Sequence, residues 1–374
     1  MKKRTLICFA LLGLSTMVAW AVVSSGATIP LILDDDGSPD GVIALMYLLQ
    51  NKEVDVRALT VCEGEAHPGL LAEKLRGLLV RLDQNIATAA GFETAPGEEK
   101  NCFPKSWRDW CDAFWCLSLP DPPIDVQTTP AYQLIVDVLR AAEPTEPVTI
   151  LATGPLTNVA LALKEMDTYA RGNIKEIVIM GGAIQTAGNI ASDVSTPDNA
   201  RPCGPYTNTK AEWNFWVDPV AASEVLHSGV HIRLVPLDAT NAVSWNREDA
   251  RRWITKGTEE NRVAGRLLLN MMAFYEDYYD GDPFDSLWLY DLCTAVVATH
   301  PSDYPGTLLP VDVCTASDGC WVPSCPGSPL PALLAELGQS AACCPTDCPT
   351  NRTWVVFSLD SAKVRAAVEE VFKP

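Results

Sequence analysis

The sequence predicts an α/β protein: an open, mostly parallel sheet flanked by helices, with a Cys-rich insertion towards the C-terminus. Three observations predict it. Short apolar runs rich in β-branched residues alternate with helical stretches, an order that pairs strands in parallel through right-handed crossovers. Polar side chains gather just beyond those runs, at the strand ends where open sheets hold ligands. Six cysteines (Cys314, Cys320, Cys325, Cys343, Cys344 and Cys348) crowd one late stretch, before a last strand and helix over Trp354 to Phe372.

The first element sets the pattern. Leu31-Ile32-Leu33 runs into Asp34, Asp35 and Asp36, then a Gly-Ser-Pro turn, Asp40 and a helical apolar run to Leu49. This reads as a buried strand opening into an acidic turn and a helix. Carboxylates so crowded repel one another unless protons or a cation neutralise them, and a hard, oxygen-seeking ion such as Ca2+ suits them. The plainer reading is a solvated turn with Asp40 as helix cap. Val54 to Val61 is the second strand, ending in a polar loop with Glu65 and His67. A helix over about Leu70 to Leu82 and a strand, Ile86 to Ala90, follow. Residues 92–129 show no regular periodicity, but their aromatic side chains (Phe103, Trp107, Trp110, Phe114, Trp115) argue against disorder.

A helix, Ala131 to Ala142, leads to the strand Val148 to Ala152, which ends at Thr153 and Asn158 where another helix begins. The strand Glu176 to Met180 ends in Gly181-Gly182, and 183–210 form a second long loop. Asp218-Pro219 opens a helix by the rule of an acidic cap with Pro in the first turn. Ile232 to Leu237 is a strand ending at Asp238. Arg247 to Tyr279 reads as one or two helices, and a loop then delivers Asp291 to the head of another. A doubly wound sheet would bring these polar ends to one edge, which is the ground for expecting an enzyme with carboxylates as metal ligands and base.

Composition narrows the partners. The chain has 374 residues, 48% hydrophobic and 20% charged, with a formal net charge of −19. A nucleic acid or an anionic membrane would be repelled, whereas a cation or a neutral small molecule suits it. Lys2, Lys3 and Arg4 precede an apolar run to Val23, and Ala19-Trp20-Ala21 has the small residues of a cleavage site. Residues 1–21 are therefore expected to be a secretory signal peptide, with an uncleaved anchor as the competing reading. Residues 28–374 are expected to form one domain, with 314–348 as the insertion, exported to the periplasm or outside the cell and without stable membrane contact once the signal is removed. Twelve cysteines remain beyond the signal, an even number that suits disulfides in an export context. Cys102, Cys111 and Cys116 form a second cluster, and no paired CxxC favours zinc. Asn351-Arg352-Thr353 is a glycosylation sequon in a eukaryotic host.

Together these segments resemble the inosine-uridine-preferring nucleoside hydrolase family. The spaced aspartates Asp34, Asp36 and Asp40 resemble its N-terminal cluster. TGPLTNVALAL at 153–163, IVIMGG at 177–182, Gly188-Asn189, AEWNFWVDP at 211–219, PLDAT at 236–240 and Tyr290-Asp291 are similar to its later segments, over roughly residues 30–300. The Cys-rich insertion is not part of that pattern. The resemblance implies a Rossmann-like core and calcium-dependent hydrolysis of the N-glycosidic bond of a small-molecule nucleoside, through an oxocarbenium-like transition state. It implies Asp36 as calcium ligand and general base, with Asp291 and the Thr153 carbonyl as further ligands. It implies Asp40, Asn189, Glu212 and Asn214 on the ribose hydroxyls, Met180 against the sugar, Tyr290 beside the substrate, and Asp34 orienting the site from behind. A homo-oligomer is compatible with it.

Two departures from the family pattern stand out. The family commonly has two adjacent aspartates where this chain has Asp40-Gly41, the second being a calcium ligand; Asp35 or a water could fill the gap. Tyr290 stands where members often have a His as leaving-group acid, and with an ordinary pKa of about 10 a Tyr is a poor proton donor at neutral pH. Trp288 or the loop aromatics could instead stack on the base. Two other readings stay open: an inactive or weakly active ribose-ligand binding protein on the same fold, or an N-ribohydrolase of another ribosylated metabolite.

Overall fold

The computed structural model describes residues 28–93, 101–121, 129–190, 206–255, 257–278, 285–315, 320–321, 333–334, 339–342 and 353–373. The expected signal peptide and Asn351 lie outside them. The strands are β1 (Ile29–Asp35), β2 (Val54–Val61), β3 (Ala87–Ala90), β4 (Val148–Ala152), β5 (Ile174–Met180), β6 (Ile232–Val235), β7 (Ser244–Asn246), β8 (Ser286–Trp288), β9 (Thr307–Leu309), β10 (Val311–Val313), β11 (Cys320–Trp321), β12 (Leu333–Leu334), β13 (Ser340–Ala342) and β14 (Thr353–Val355).

Eight of these form the central sheet, in the order β3-β2-β1-β4-β5-β6-β14-β9. All its pairings are parallel except that of β9 with β14. The order reverses between β1 and β4, which makes their C-terminal ends the natural crevice of a doubly wound sheet. Side chains alternate across β1: Leu31 and Leu33 enter one apolar core and Ile32 the other. The first core is closed by the helices Pro39–Gln50, Glu259–Tyr278, Tyr290–Thr299 and Ser361–Val371, the second by Ala131–Ala141, Thr157–Glu165 and Pro219–Leu226. Strands buried on both faces need near-continuous apolar runs, which is why β1, β4 and β5 read so clearly in the sequence.

The structure adds elements within expected loops. The 92–129 stretch contains a helix, Lys105–Asp112, and a 3₁₀ turn, Phe114–Cys116. Arg247 to Tyr279 is two helices, Arg247–Thr255 and Glu259–Tyr278. The loop before Asp291 holds β8, paired antiparallel with β7. In the Cys-rich stretch, β10 pairs with β13 and β11 with β12. Cys102 and Cys314 are disulfide-bonded, but Cys111 and Cys116 are free thiols, so the expected small cluster is not a staple in itself. Among the described residues no helix is long and apolar enough to cross a membrane.

Candidate active site

β1 ends at Asp35, and the chain turns through Asp36, Gly37 and Ser38 into the helix Pro39–Gln50. Gly37 takes a φ of +89°, where a Cβ would also meet Leu71 at 2.5 Å, so only glycine serves here. Ser38, rather than Asp40, caps the helix: its Oγ accepts from the Gly41 backbone N–H at 2.9 Å. The same hydroxyl donates to Asp291 Oδ2 at 2.7 Å. In return the Asp291 backbone N–H donates to Asp40 Oδ2 at 3.1 Å. Asp291 sits in the first turn of the helix Tyr290–Thr299, so two helix N-termini meet at these carboxylates and favour negative charge there.

A cavity of about 250 Å³ opens over this junction. Asp36, Asp40, Thr153, Met180, Asn189, Glu212, Asn214, Tyr290 and Asp291 all line it, so segments far apart in sequence converge. Asp34 does not line it. It lies beneath, where its Oδ1 accepts from Thr60 Oγ1 at 2.7 Å and Asn158 Nδ2 at 2.9 Å, and its Oδ2 is buried without a partner. Aromatic side chains line it too: Phe103, Trp107, Trp213 and Tyr275, which touch one another, and Trp288. Phe103 stacks on Trp213 with centroids 4.6 Å apart. Trp213 lies in a short helix, Trp213–Val217, whose cap is Glu212: its carboxylate accepts from the backbone N–H of Asn214, Phe215 and Gly182. Carboxylate oxygens have lone pairs to spare for a sugar hydroxyl as well. Asn214 Nδ2 donates to the Met180 carbonyl at 3.1 Å and the Thr153 carbonyl at 3.3 Å, leaving its Oδ1 for a ligand.

Ser38, Glu65, Trp213, Met271, Tyr275 and Leu287 also line the cavity and carry no role in the sequence reading. Ser38 was read only as part of a turn, and its reach to Asp291 spans 253 positions. Glu65 was noted as a strand-end acid; its backbone N–H donates to Asp36 Oδ2 at 3.2 Å, and burial followed by the charge of Asp36 pushes its carboxyl well above the ordinary range. His67 stands outside the cavity and pairs with Asp112, Nδ1 to Oδ2 at 2.6 Å.

The electrostatics are those of an acidic floor. Burial first, and the charge of Asp35 next, push the Asp36 carboxyl well up. Asp291 is raised by burial and then by Asp40. Asp35 is raised to about 6, and Asp34 and Glu212 to about 7, each chiefly by burial. Burial and the charges of Asp40 and Glu212 hold the Tyr290 phenol far up, so it is a neutral hydrogen-bond donor.

The family model of the inosine-uridine preferring nucleoside hydrolases matches residues 31–365 of this chain. The chain belongs to that family. It is 32% identical over 278 residues to the pyrimidine-specific ribonucleoside hydrolase RihA of Citrobacter koseri, covering 73% of this chain and 80% of that one. The corresponding protein of Klebsiella pneumoniae is 32% identical over 279 residues, with the same coverage. Among solved structures, the inosine-uridine preferring nucleoside hydrolase of Bacillus anthracis has a TM-score of 0.70 at 23% identity, covering 92% of this chain and 99% of that one. The purine-preferring ribonucleoside hydrolase of Gardnerella vaginalis has a TM-score of 0.70 at 20% identity, covering 92% and 98%. Both share the fold. As a nucleoside hydrolase the protein is a glycosidase acting on N-glycosyl bonds.

Nucleoside hydrolases use a metal ion, and this floor suits one. The donors are oxygens only, carboxylates and the Thr153 carbonyl, as a hard cation needs. Glycines from separate segments leave room for the acids: a Cβ on Gly64 would stand 2.3 Å from Asp36 Oδ2, one on Gly154 2.7 Å from Asp36 Cβ, and one on Gly41 1.9 Å from Asp35 Oδ2. Among the described residues no three His, Cys, Asp or Glu side chains already close into a cage; the set named from the family pattern, Asp36, Asp291 and the Thr153 carbonyl, does not require one.

Proposed function

We propose that this nucleoside hydrolase cleaves the N-glycosidic bond of ribonucleosides into ribose and free base, with calcium as its metal and Asp36 as general base. The observation that carries the proposal is the mixed lining of the cavity: carboxylates and amides fit for ribose hydroxyls, together with aromatic rings fit for a flat base. Asp40, Asn189, Glu212 and Asn214 would hold the sugar, with Met180 packed against it. Bound calcium would offset the charge of the floor and make a nearby water more acidic.

Asp36 would take the proton of the attacking water. Its oxygens accept only long bonds, 3.3 Å from the Ser38 N–H and 3.2 Å from the Glu65 N–H, which leaves lone pairs for that proton. As the bond breaks, positive charge grows on the ribose, and the surrounding carboxylates stabilise it. The departing base is helped by stacking on Trp107, Trp213 or Trp288 and by a hydrogen bond from Tyr290, whose phenol keeps its proton.

The test is release of reducing sugar by the purified full chain with CaCl2, from a panel of purine and pyrimidine nucleosides. Turnover of at least one, abolished in Asp36→Ala, is expected. No release from any of them, together with tight binding of ribose analogues, would replace hydrolysis with a binding role. We also propose that the protein is exported; the disulfide bonds of Cys102 and Cys314 support this. Fractionation of the native host would find it outside the cytoplasm, shortened by the signal; a full-length cytoplasmic protein would refute it.

A further inference from the structure

Asp35 is the one acid of the opening DDD run with no role in the proposed chemistry. On β1 it points the opposite way from Asp34, towards the side of the helix Pro39–Gln50. Its Oδ1 accepts from the Gly37 N–H at 2.8 Å and its Oδ2 from Thr153 Oγ1 at 2.8 Å. It is 3% exposed. The decisive contact is with a side chain that does not exist: a Cβ on Gly41 would lie 1.9 Å from Asp35 Oδ2 and 2.7 Å from its Cγ. The carboxylate of Asp35 therefore fills the space where a side chain at position 41 would begin. Asp36, Asp40 and Asp291 feel its charge, and Thr153, whose hydroxyl it accepts from, lines the cavity.

A structural role alone explains this poorly. Burying an extra carboxylate among others raises the free energy of the fold, and Asn could keep both contacts without a charge, its Oδ1 accepting from the Gly37 N–H and its Nδ2 donating to Thr153 Oγ1. What the charge adds is attraction for a cation. We infer that Asp35 contributes its carboxylate to the calcium site, and that Gly41 is the gap that admits it. The charge is delivered from the strand, across the turn, instead of from the first turn of the helix. The inference rests on the calcium-dependent reading above.

Calorimetric titration of the purified full chain with CaCl2, together with thermal melts in EDTA, tests it without recourse to activity. Asp35→Asn should weaken calcium binding on the order of 100-fold, while its melting temperature in EDTA stays level or rises as repulsion is relieved. Moving the charge in Asp35→Ala/Gly41→Asp should restore binding to within about tenfold of wild type, a loss of the size expected when a ligand is only imperfectly placed. Wild-type affinity in Asp35→Asn overturns the inference and leaves the hydrolase reading standing. If Asp35→Asn loses both affinity and stability, the double variant decides: restored affinity supports the inference, and failure to restore it overturns it. A wild-type chain that binds no calcium overturns the inference and the calcium-dependent reading together.

Discussion

At the scale of single residues, Asp36 and Tyr290 divide the expected chemistry unequally. Asp36 is the only proposed proton acceptor, so Asp36→Asn should lower kcat about a hundred- to ten-thousandfold, the usual worth of a general base, with calcium binding measured alongside to separate the two roles. Tyr290 offers one hydrogen bond from a phenol that does not ionise, so Tyr290→Phe should cost less than about tenfold in kcat. The shape of its pH–rate profile should not change. If the basic limb of that profile disappears, the phenol is transferring its proton after all. The acids and Thr153 were legible as polar groups at strand and helix ends, whereas Met180, Asn189, Glu212, Asn214 and Tyr290 drew their roles only from the resemblance to the family. Ser38 was not legible, because its importance lies in a bond to a residue distant in the chain. Nor was the capping by Glu212, which looks like a ligand in sequence and also holds the helix bearing Trp213.

At the scale of elements, the helix Lys105–Asp112 shows what the sequence hid. Trp107, Trp110 and Cys111 have helical spacing, but eight residues are too few for that to stand out. The helix persists because contacts from Arg108, Cys111 and Asp112 pin it to the loop after β2. Arg108 pairs with Glu63 at 2.6 Å, both side chains 3% exposed, and Asp112 accepts from the His67 backbone N–H at 2.9 Å. This anchors Trp107 in the cavity wall. Arg108→Met removes the cation of this buried pair and should cost about 3–5 kcal/mol of stability in urea unfolding. Arg108→Met/Glu63→Gln should regain part of that. A double variant no more stable than the single would show that Arg108 matters for something other than this pair.

At the scale of the whole molecule, the acidic floor couples stability to pH in an unusual direction. Asp34, Asp35 and Glu212 have folded pKa values of about 7, 6 and 7, above those of the unfolded chain. The folded state thus holds more protons than the unfolded one between the ordinary carboxylate range and about 7. Their contribution is favourable at the acidic end of that window and is lost as pH rises through it. In EDTA the melting temperature should fall from about pH 5 to about pH 7.5; calcium should oppose the fall by replacing those protons. A rise over that range in EDTA would contradict the account. The doubly wound plan was legible because buried parallel strands announce themselves as apolar runs. The last strand, β14, was legible ahead of the final helix, but its partner β9 was not, since a three-residue strand at the sheet margin carries little pattern.

That margin has a consequence of its own. Leu309 on β9 sits directly opposite Thr353 on β14, so the whole Cys-rich excursion leaves and rejoins the sheet through a doorway about 5 Å wide, one strand spacing. Its length is therefore decoupled from the threading of the sheet. β10 and Ser340 remain tied to the body, Val311 and Val313 in the second core and Ser340 Oγ on the Ala183 backbone. It is therefore the stretch between β10 and β13 that lineages could lengthen or shorten, or an engineer replace, without shifting the register of any strand beneath the cavity.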